Sequence, residues 1–456
     1  MNAALPVKCT FARTAVVSSL PPQAKHPKLP PGESRLHLGT SGPRRRMNPP
    51  NSSILAIFAI TYLGLAVGRI PGLKLNRVGI VLLGAIGMMI FGQITADKAI
   101  SYINWPTVLL LFGFFVISAQ LRLSGFYDLV ANGIAARLDK PARFLLVLMT
   151  VTAGLSAFLN HDIVCLVFTP IVGTALLRKK INPVPFLIAV AISSNIGAAA
   201  TLLGNPQDMM IGAVANLNFG NYLLWSCVPV FFALAAAYAI IWFLSRNHLA
   251  DGGNTGVAVP SDPCPFNRPH TIKGLAILVV VVGLFFTSLP KEIVALAAAA
   301  IHLASRKFRT EELLKFVEWP ILVLFMGLFV VTGAFQSTGY GDDAVRWLAH
   351  SGFNLDAPVN LTLATAALSN LINNSAAVML LVKVITLHHD HAAYILALAN
   401  SLGGSLLIVG SVANIIVVQQ ARDLGVTISF RDFARLGVPA TLAALAGLLA
   451  WVALMA

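Results

Sequence analysis

Charged side chains are scarce in this chain, 11% of 456 residues against 57% hydrophobic. So little charge excludes a soluble globular domain and indicates a polytopic membrane protein, all-helical in its spans. Acidic residues are scarcer than basic ones, 18 against 32, leaving a formal net charge of +14. In a soluble protein that excess would suggest a nucleic-acid partner; in a membrane its meaning depends on which loops carry it, and no nucleic acid is expected here. The four cysteines, Cys9, Cys165, Cys227 and Cys264, show no paired spacing, which excludes a disulfide framework and a zinc site. No Gly-Lys dipeptide occurs, so the chain lacks the phosphate-cradling loop of an ATP-driven pump. Nor is an enzyme expected. Asp162 and Asp208 are the two carboxylates placed in the membrane core, and neither lies in the Gly-x-Gly-Asp setting of an intramembrane protease.

What the chain does have is a succession of apolar runs from Ile54 onward, most of the length of one crossing. Residues 1–50 stand apart: Pro-rich, with eight basic residues and the single acid Glu33. They read as a disordered or targeting extension, or as a start assigned too early with Met47 the true beginning, the second being preferred. Two long runs carry polar tips, SAFLNHD at 156–162 and SNLINNS at 369–375, which read as re-entrant hairpins. Phe126 to Leu138 reads as an amphipathic surface helix, and His388-His389-Asp390-His391 as a solvated loop rather than a metal site.

The chain is duplicated. An offset of 214 aligns WPTVLLLFGFFVIS at 105–118 with WPILVLFMGLFVVT at 319–332, including Gly113 with Gly327. An offset of 213 pairs Ser156 with Ser369 and Asn160 with Asn373; one of 206 pairs Gly197 with Gly403 and Gly204 with Gly410. The implied domains are repeat one at 51–247, a cytoplasmic linker at 248–270 and repeat two at 271–456, each with five crossings and one hairpin. Letting the first hairpin enter from the cytoplasm leaves only Lys98, Lys291, Arg346 and Lys383 outside among the basic residues after residue 50. This positive-inside sorting places the second hairpin on the opposite face, so the repeats are inverted.

The sequence is organised around AVAISSNIGAAATLLGNPQDMM at 189–210, an apolar helix that carries Asn195, Gly197 and Thr201 and breaks at Gly204-Asn205-Pro206, with Asp208 just beyond. Proline removes a backbone donor and glycine loosens the chain; in hydrocarbon such a break persists only where it lines a protein-enclosed polar site. With the second-half segments SNLINNSAAVMLL and LGGSLLIVGSVANIIV, this stretch resembles the ion transporter superfamily of arsenite permeases, sodium/proton antiporters of the NhaD type, and citrate and divalent anion carriers. The resemblance covers residues 50–456.

The resemblance implies a cation near each hairpin tip, held by tip side chains and by carbonyls at the adjacent break, with the anion between the tips. Carried over by motif, the first cluster is Ser156, Asn160, His161, Gly197 and Asn205, and the second Ser369, Asn373, Asn374, Ser375 and Gly403. The polar, glycine and proline positions of the same segments add Asp162, Asn195, Thr201, Gly204, Pro206 and Asp208 to the first, and Asn400, Gly404, Ser405, Gly410, Ser411 and Asn414 to the second. Sodium would lie at Ser156, Asn160 and Asn205, and at Ser369 and Asn374, with no other metal or cofactor. The tip Asn160-His161-Asp162 departs from the Ser-Asn-Thr pattern of dicarboxylate carriers. The expected function is secondary active transport of a small anion, a carboxylate or inorganic oxyanion, coupled to Na+ or H+ by alternating access. Sodium/proton antiport and arsenite efflux are the alternatives. The resemblance further implies a homodimer in a bacterial inner membrane, with the lipid bilayer and the anion as partners. Both carboxylates fall in the first-half cluster, so one cation shared by Asp162 and Asp208 is expected to set the coupling.

Overall fold

The computed structural model describes residues 49–67, 75–136, 140–246, 266–304, 308–385 and 390–455. Among these the only regular elements are helices. The first half contributes α1 (Pro49–Val67), α2 (Arg77–Ile90), α3 (Ala96–Tyr102), α4 (Trp105–Leu123), α5 (Phe126–Ala135), α6 (Pro141–Phe158), α7 (His161–Arg178), α8 (Val184–Ala198), α9 (Pro206–Val214) and α10 (Phe219–Ser245). The second contributes α11 (Arg268–Leu284), α12 (Lys291–Leu303), α13 (Thr310–Lys315), α14 (Trp319–Gln336), α15 (Tyr340–His350), α16 (Pro358–Ile372), α17 (Asn374–Val384), α18 (Asp390–Gly403), a 3₁₀ turn at Ile408–Gly410, α19 (Val412–Asp423) and α20 (Phe430–Met455).

Local chemistry starts these helices. Asn76, Asn104, Asn160, Asn205, Asn218 and Asn267 each cap a helix by accepting a backbone N–H from its first turn. Proline occupies the first turn of α4, α6, α8, α9, α11, α14 and α16, where its missing donor costs nothing. Six helices, α4, α6, α7, α10, α14 and α20, are long and apolar enough to cross a membrane. Two of these, α6 and α7, are the arms of the first hairpin; of the ten crossings that the sequence predicts, the runs at 185–216 and 392–421 are each two shorter helices separated by a break, and α2, α11 and α12 are shorter than 18 residues.

The ten helices of one half match the ten of the other in order, as two inverted repeats, and the tertiary contacts repeat with them. Helix α4 packs on α12 and α14 on α2; α6 packs on α8 and α16 on α18; α7 meets α19 and α17 meets α9. The register holds to the residue. Gly113 lies against Ala295 while Gly327 lies against Val81, and Gly197 lies against Ala153 while Gly403 lies against Ala366. Gly125 and Gly339, before α5 and α15, share a left-handed φ of 73° and 77° that favours glycine.

The structure corrects or extends several readings. The surface helix read at 126–138 ends at Ala135, and its mate α15, together with the short α3 and α13, has no apolar run to announce it. Residues 339–342 spell Gly-Tyr-Gly-Asp, but Asp342 is exposed on α15 and far from the protease chemistry that those letters suggest. Residues 1–46, His388, His389, Cys9 and Cys264 lie outside the described residues.

A Cβ added at Gly113 would come within 2.7 Å of the Ala295 carbonyl carbon, whereas one at Gly154 meets nothing within 4 Å. We expect Gly113→Ala to cost about 1–3 kcal/mol by overpacking, read as a lowered midpoint of thermal unfolding in detergent. Gly154→Ala should leave that midpoint unchanged.

Candidate functional site

Each hairpin is two helices meeting at an asparagine. Asn160 ends α6 and caps α7, its side-chain oxygen accepting the Asp162 N–H at 2.9 Å. Asn373 does the same between α16 and α17, accepting from Ser375 N at 3.3 Å from a backbone φ of 92°. At the first break, Asn205 accepts the Asp208 N–H at 2.7 Å, and Pro206 begins α9. Ser411 stands at the corresponding cap of α19, where Val412 replaces the proline. The four helix N-termini of α7, α9, α17 and α19 thus begin at the tips and breaks, and their free N–H groups favour an anion; the ends of α8 and α18 leave carbonyls that favour a cation.

The tips and breaks are tied together locally. Thr201, between α8 and α9, donates to the Ala157 carbonyl and accepts from Leu203 N at 3.0 Å. Gly204 lies on the backbone of Ala198 and Ser156, and Gly410 on the backbone of Gly404, which the offset of 206 pairs with Ala198, and on the side chain of Asn370. The Gly204 carbonyl accepts from His161 N at 3.3 Å and lies 3.1 Å from His161 Nδ1. In the second repeat the Gly403 carbonyl accepts from Asn370 Nδ2 at 2.8 Å. Ser369 donates to the Ala366 carbonyl at 3.1 Å.

Two hydrogen-bonded triads then cross between the repeats. Asn195 on α8 donates to Asn414 Oδ1 and accepts from Ser411 Oγ, both at 2.9 Å, so a first-half helix holds the second break. Ser401 on α18 donates to Asp208 Oδ2 at 3.0 Å and accepts from Asn205 Nδ2 at 2.8 Å, so a second-half helix holds the first break. Asn205 Nδ2 also reaches Asp208 Oδ2 at 2.7 Å, and Asn414 Nδ2 reaches the Gly404 carbonyl at 2.8 Å. All six residues are buried. The offset of 206 maps one triad onto the other: Asn195 onto Ser401, Asn205 onto Ser411, Asp208 onto Asn414.

The aspartates have different side-chain partners. Asp208 faces Ser401 and Asn205, whereas Asp162 faces His161, with its Oδ1 3.5 Å from Nε2. The reason lies in the crossing. Gln207 reaches from the first break to Ser375 on the second tip at 2.7 Å, but the matching residue of the second break is Ala413, which offers Asp162 nothing. Among the described residues no lysine or arginine is buried, and Ser156 Oγ, Asp162 Oδ1, Asp208 Oδ1, Asn374 Oδ1 and Ser405 Oγ have no hydrogen-bond partner. Buried oxygens of this kind are suited to bind a cation or a proton. No group of three His, Cys, Asp or Glu that could hold a metal occurs among the described residues.

Ser401 and Gln207 escape the sequence reading, which selects Asn400. The repeat offset already pairs Ser401 with Asn195, and that signal was available. Asn400 is buried, yet neither side-chain atom finds a partner. A small pocket at the first tip and break is lined by Asn160, Asn205, Pro206 and Met209 with Phe114 and Ser118 of α4.

Residues 55–393 match the family model described as citrate transporter. An uncharacterized transporter of Mycobacterium tuberculosis is 30% identical over 422 residues, covering 87% of this chain and 98% of that protein. The silicon efflux transporter LSI3 of Oryza sativa subsp. japonica is 27% identical over 457 residues, covering 84% and 94%. Among solved structures, the YdaH transporter of Alcanivorax borkumensis, titled as having an unusual topology, superposes with a TM-score of 0.54 at 16% identity, covering 89% of this chain and 97% of that one.

The triads generate a contrast in stability. Asn195→Ala strands Ser411 and Asn414 in the core, at a cost of about 1–3 kcal/mol. We expect it to lower the thermal midpoint clearly more than Asn400→Ala, which removes no hydrogen bond. Equal effects would mean that the crossing bonds contribute little.

Proposed function

The chain belongs to the citrate transporter family, and from that premise we propose that it moves a small carboxylate by alternating access, coupled to protons through Asp208. Being a transporter rather than an enzyme, it needs a site that opens to either face, and the inverted repeats with their tips and breaks supply the matching halves. The observation that carries the proton reading is the asymmetry of the crossed triads. Where the second repeat has the neutral Asn414, the first has the buried carboxylate of Asp208. A carboxylate away from any buried basic residue is costly in a membrane interior, and it is relieved by taking up a proton or a cation.

The anion is read as lying between the tips, drawn by helix N-termini in the absence of arginine. A carboxylate fits the family description, and a second reading, efflux of a small inorganic substrate, is prompted by the rice relative named for silicon efflux. The homodimer implied by family resemblance is retained as the working unit.

Flux in proteoliposomes, with a panel of carboxylates and oxyanions under separate pH and sodium gradients, tests this reading. Asp208→Asn copies the second repeat's own amide and should fold. We expect it to abolish flux driven by a pH gradient while substrate counterflow survives, with Asp162→Asn weaker and Ser375→Ala near wild type. Unchanged pH and sodium dependence in both aspartate variants would show the carboxylates to be structural. Concentrative uptake with sodium alone would replace the proton by sodium.

A further inference from the structure

The second-repeat pair α11 and α12 leaves a groove between its helices that the transport reading does not use. Ile277, Val280 and Leu284 of α11 face Ile293, Ala297 and Ile301 of α12 across it, and every other lining residue is also apolar. From Ile293 to Ile301 the groove follows α12 for about 12 Å. At its outer end Leu289 and Pro290 belong also to a second pocket, which is lined by Thr287, Ser288, Lys291, Glu292, Asn216 and Asn218. An apolar groove thus runs directly into a chamber of similar volume that holds two charges.

Lys291 is the first residue of α12, where the helix dipole disfavours a cation. Its ammonium donates to the Leu217 carbonyl of the α9–α10 connection, which uses one of three N–H bonds. Glu292 is its neighbour and lines the same pocket, yet the two form no ion pair with each other. The two half-buried charges attract each other through space without a hydrogen bond between them, so Lys291 keeps two N–H groups and Glu292 its carboxylate oxygens for an external partner of both signs.

We propose that this groove and chamber bind one zwitterionic phospholipid with a primary ammonium, of the phosphatidylethanolamine type. Its phosphate accepts from the Lys291 ammonium and the Ser288 hydroxyl, its ammonium donates to the Glu292 carboxylate, and one acyl chain fills the α11–α12 groove. An anionic headgroup would leave Glu292 facing a like charge, and a soluble zwitterion would leave the groove unfilled. The site lies apart from the tips and breaks, so the proposal stands or falls independently of the transported anion.

Full-length protein, purified in detergent with equal amounts of phosphatidylethanolamine, phosphatidylcholine and phosphatidylglycerol, tests it by native mass spectrometry. We expect one lipid per protomer to be retained, with phosphatidylethanolamine favoured over phosphatidylglycerol about fivefold, the scale of one partly exposed ion pair. Phosphatidylcholine, which offers charge but no N–H, should fall between. Glu292→Gln should erase the preference while leaving a lipid bound, and Ala297→Phe, at an exposed groove position, should reduce retention of all three severalfold with an unchanged elution profile. Equal retention of the three lipids by the wild type overturns the proposal, as does unaltered retention by Ala297→Phe. If Ala297→Phe converts a dimer to a monomer without releasing a lipid, a second copy of the chain fills the groove and the proposal is wrong.

Discussion

A helix that breaks inside hydrocarbon exposes backbone groups that water cannot reach, and everything about this molecule's core follows from how those groups are satisfied. At the breaks Asn205 and Asn414 bond the backbone, and both are held in turn by side chains from the opposite repeat: Asn195 on Ser411 and Asn414, Ser401 on Asn205 and Asp208. Capping asparagines hold each new helix start, and close glycine contacts let the tips approach the breaks. The result is a pair of half-sites that are rigid through each other. Movement of one break without the other would strand buried donors and acceptors, which favours rigid-body rearrangement over local flexing.

Much of this was legible in the sequence. The glycine offsets that revealed the duplication reappear as matched contacts, because a position where backbones touch tolerates only glycine or a very small side chain in both repeats. Hairpin tips announced themselves as polar residues within apolar runs, since nothing else explains asparagine at that depth. The crossing bonds were not legible in the same way. Hydrogen-bond partners separated by 193 to 219 residues leave no periodicity, and an eye for clusters groups Asp162 with Asp208 because each sits beside its own repeat's polar motif. Geometry assigns them differently, since the break of one repeat is held by a helix of the other. Short amphipathic elements such as α15 were lost for a simpler reason, having too few apolar residues to stand out from a loop.

The repeats have diverged at the tips and breaks. Pro206 against Val412, Asp208 against Asn414, Gln207 against Ala413 and Asp162 against Ser375 all lie at matched positions of one tip-and-break pair. Elsewhere the contacts remain close to symmetric, in keeping with a scaffold whose packing is constrained equally from both halves. Charge has been concentrated in the first half-site, while the second remains a neutral arrangement of amides and hydroxyls.

The crossed triads also speak to the origin of the chain. If the two repeats were once one sequence, each triad would have been the same intermolecular bond seen twice, the self-complementary interface of a twofold dimer. Its two subunits would have sat upside down relative to each other in one bilayer, which requires a precursor with no strong preference for either orientation. Fusion then released each copy from inserting both ways. The sorting of basic residues to one face that the sequence implies, and the lone carboxylate in one triad, are specialisations that such a dual-orientation ancestor could not have held, because any residue it gained would have appeared on both sides of the membrane at once.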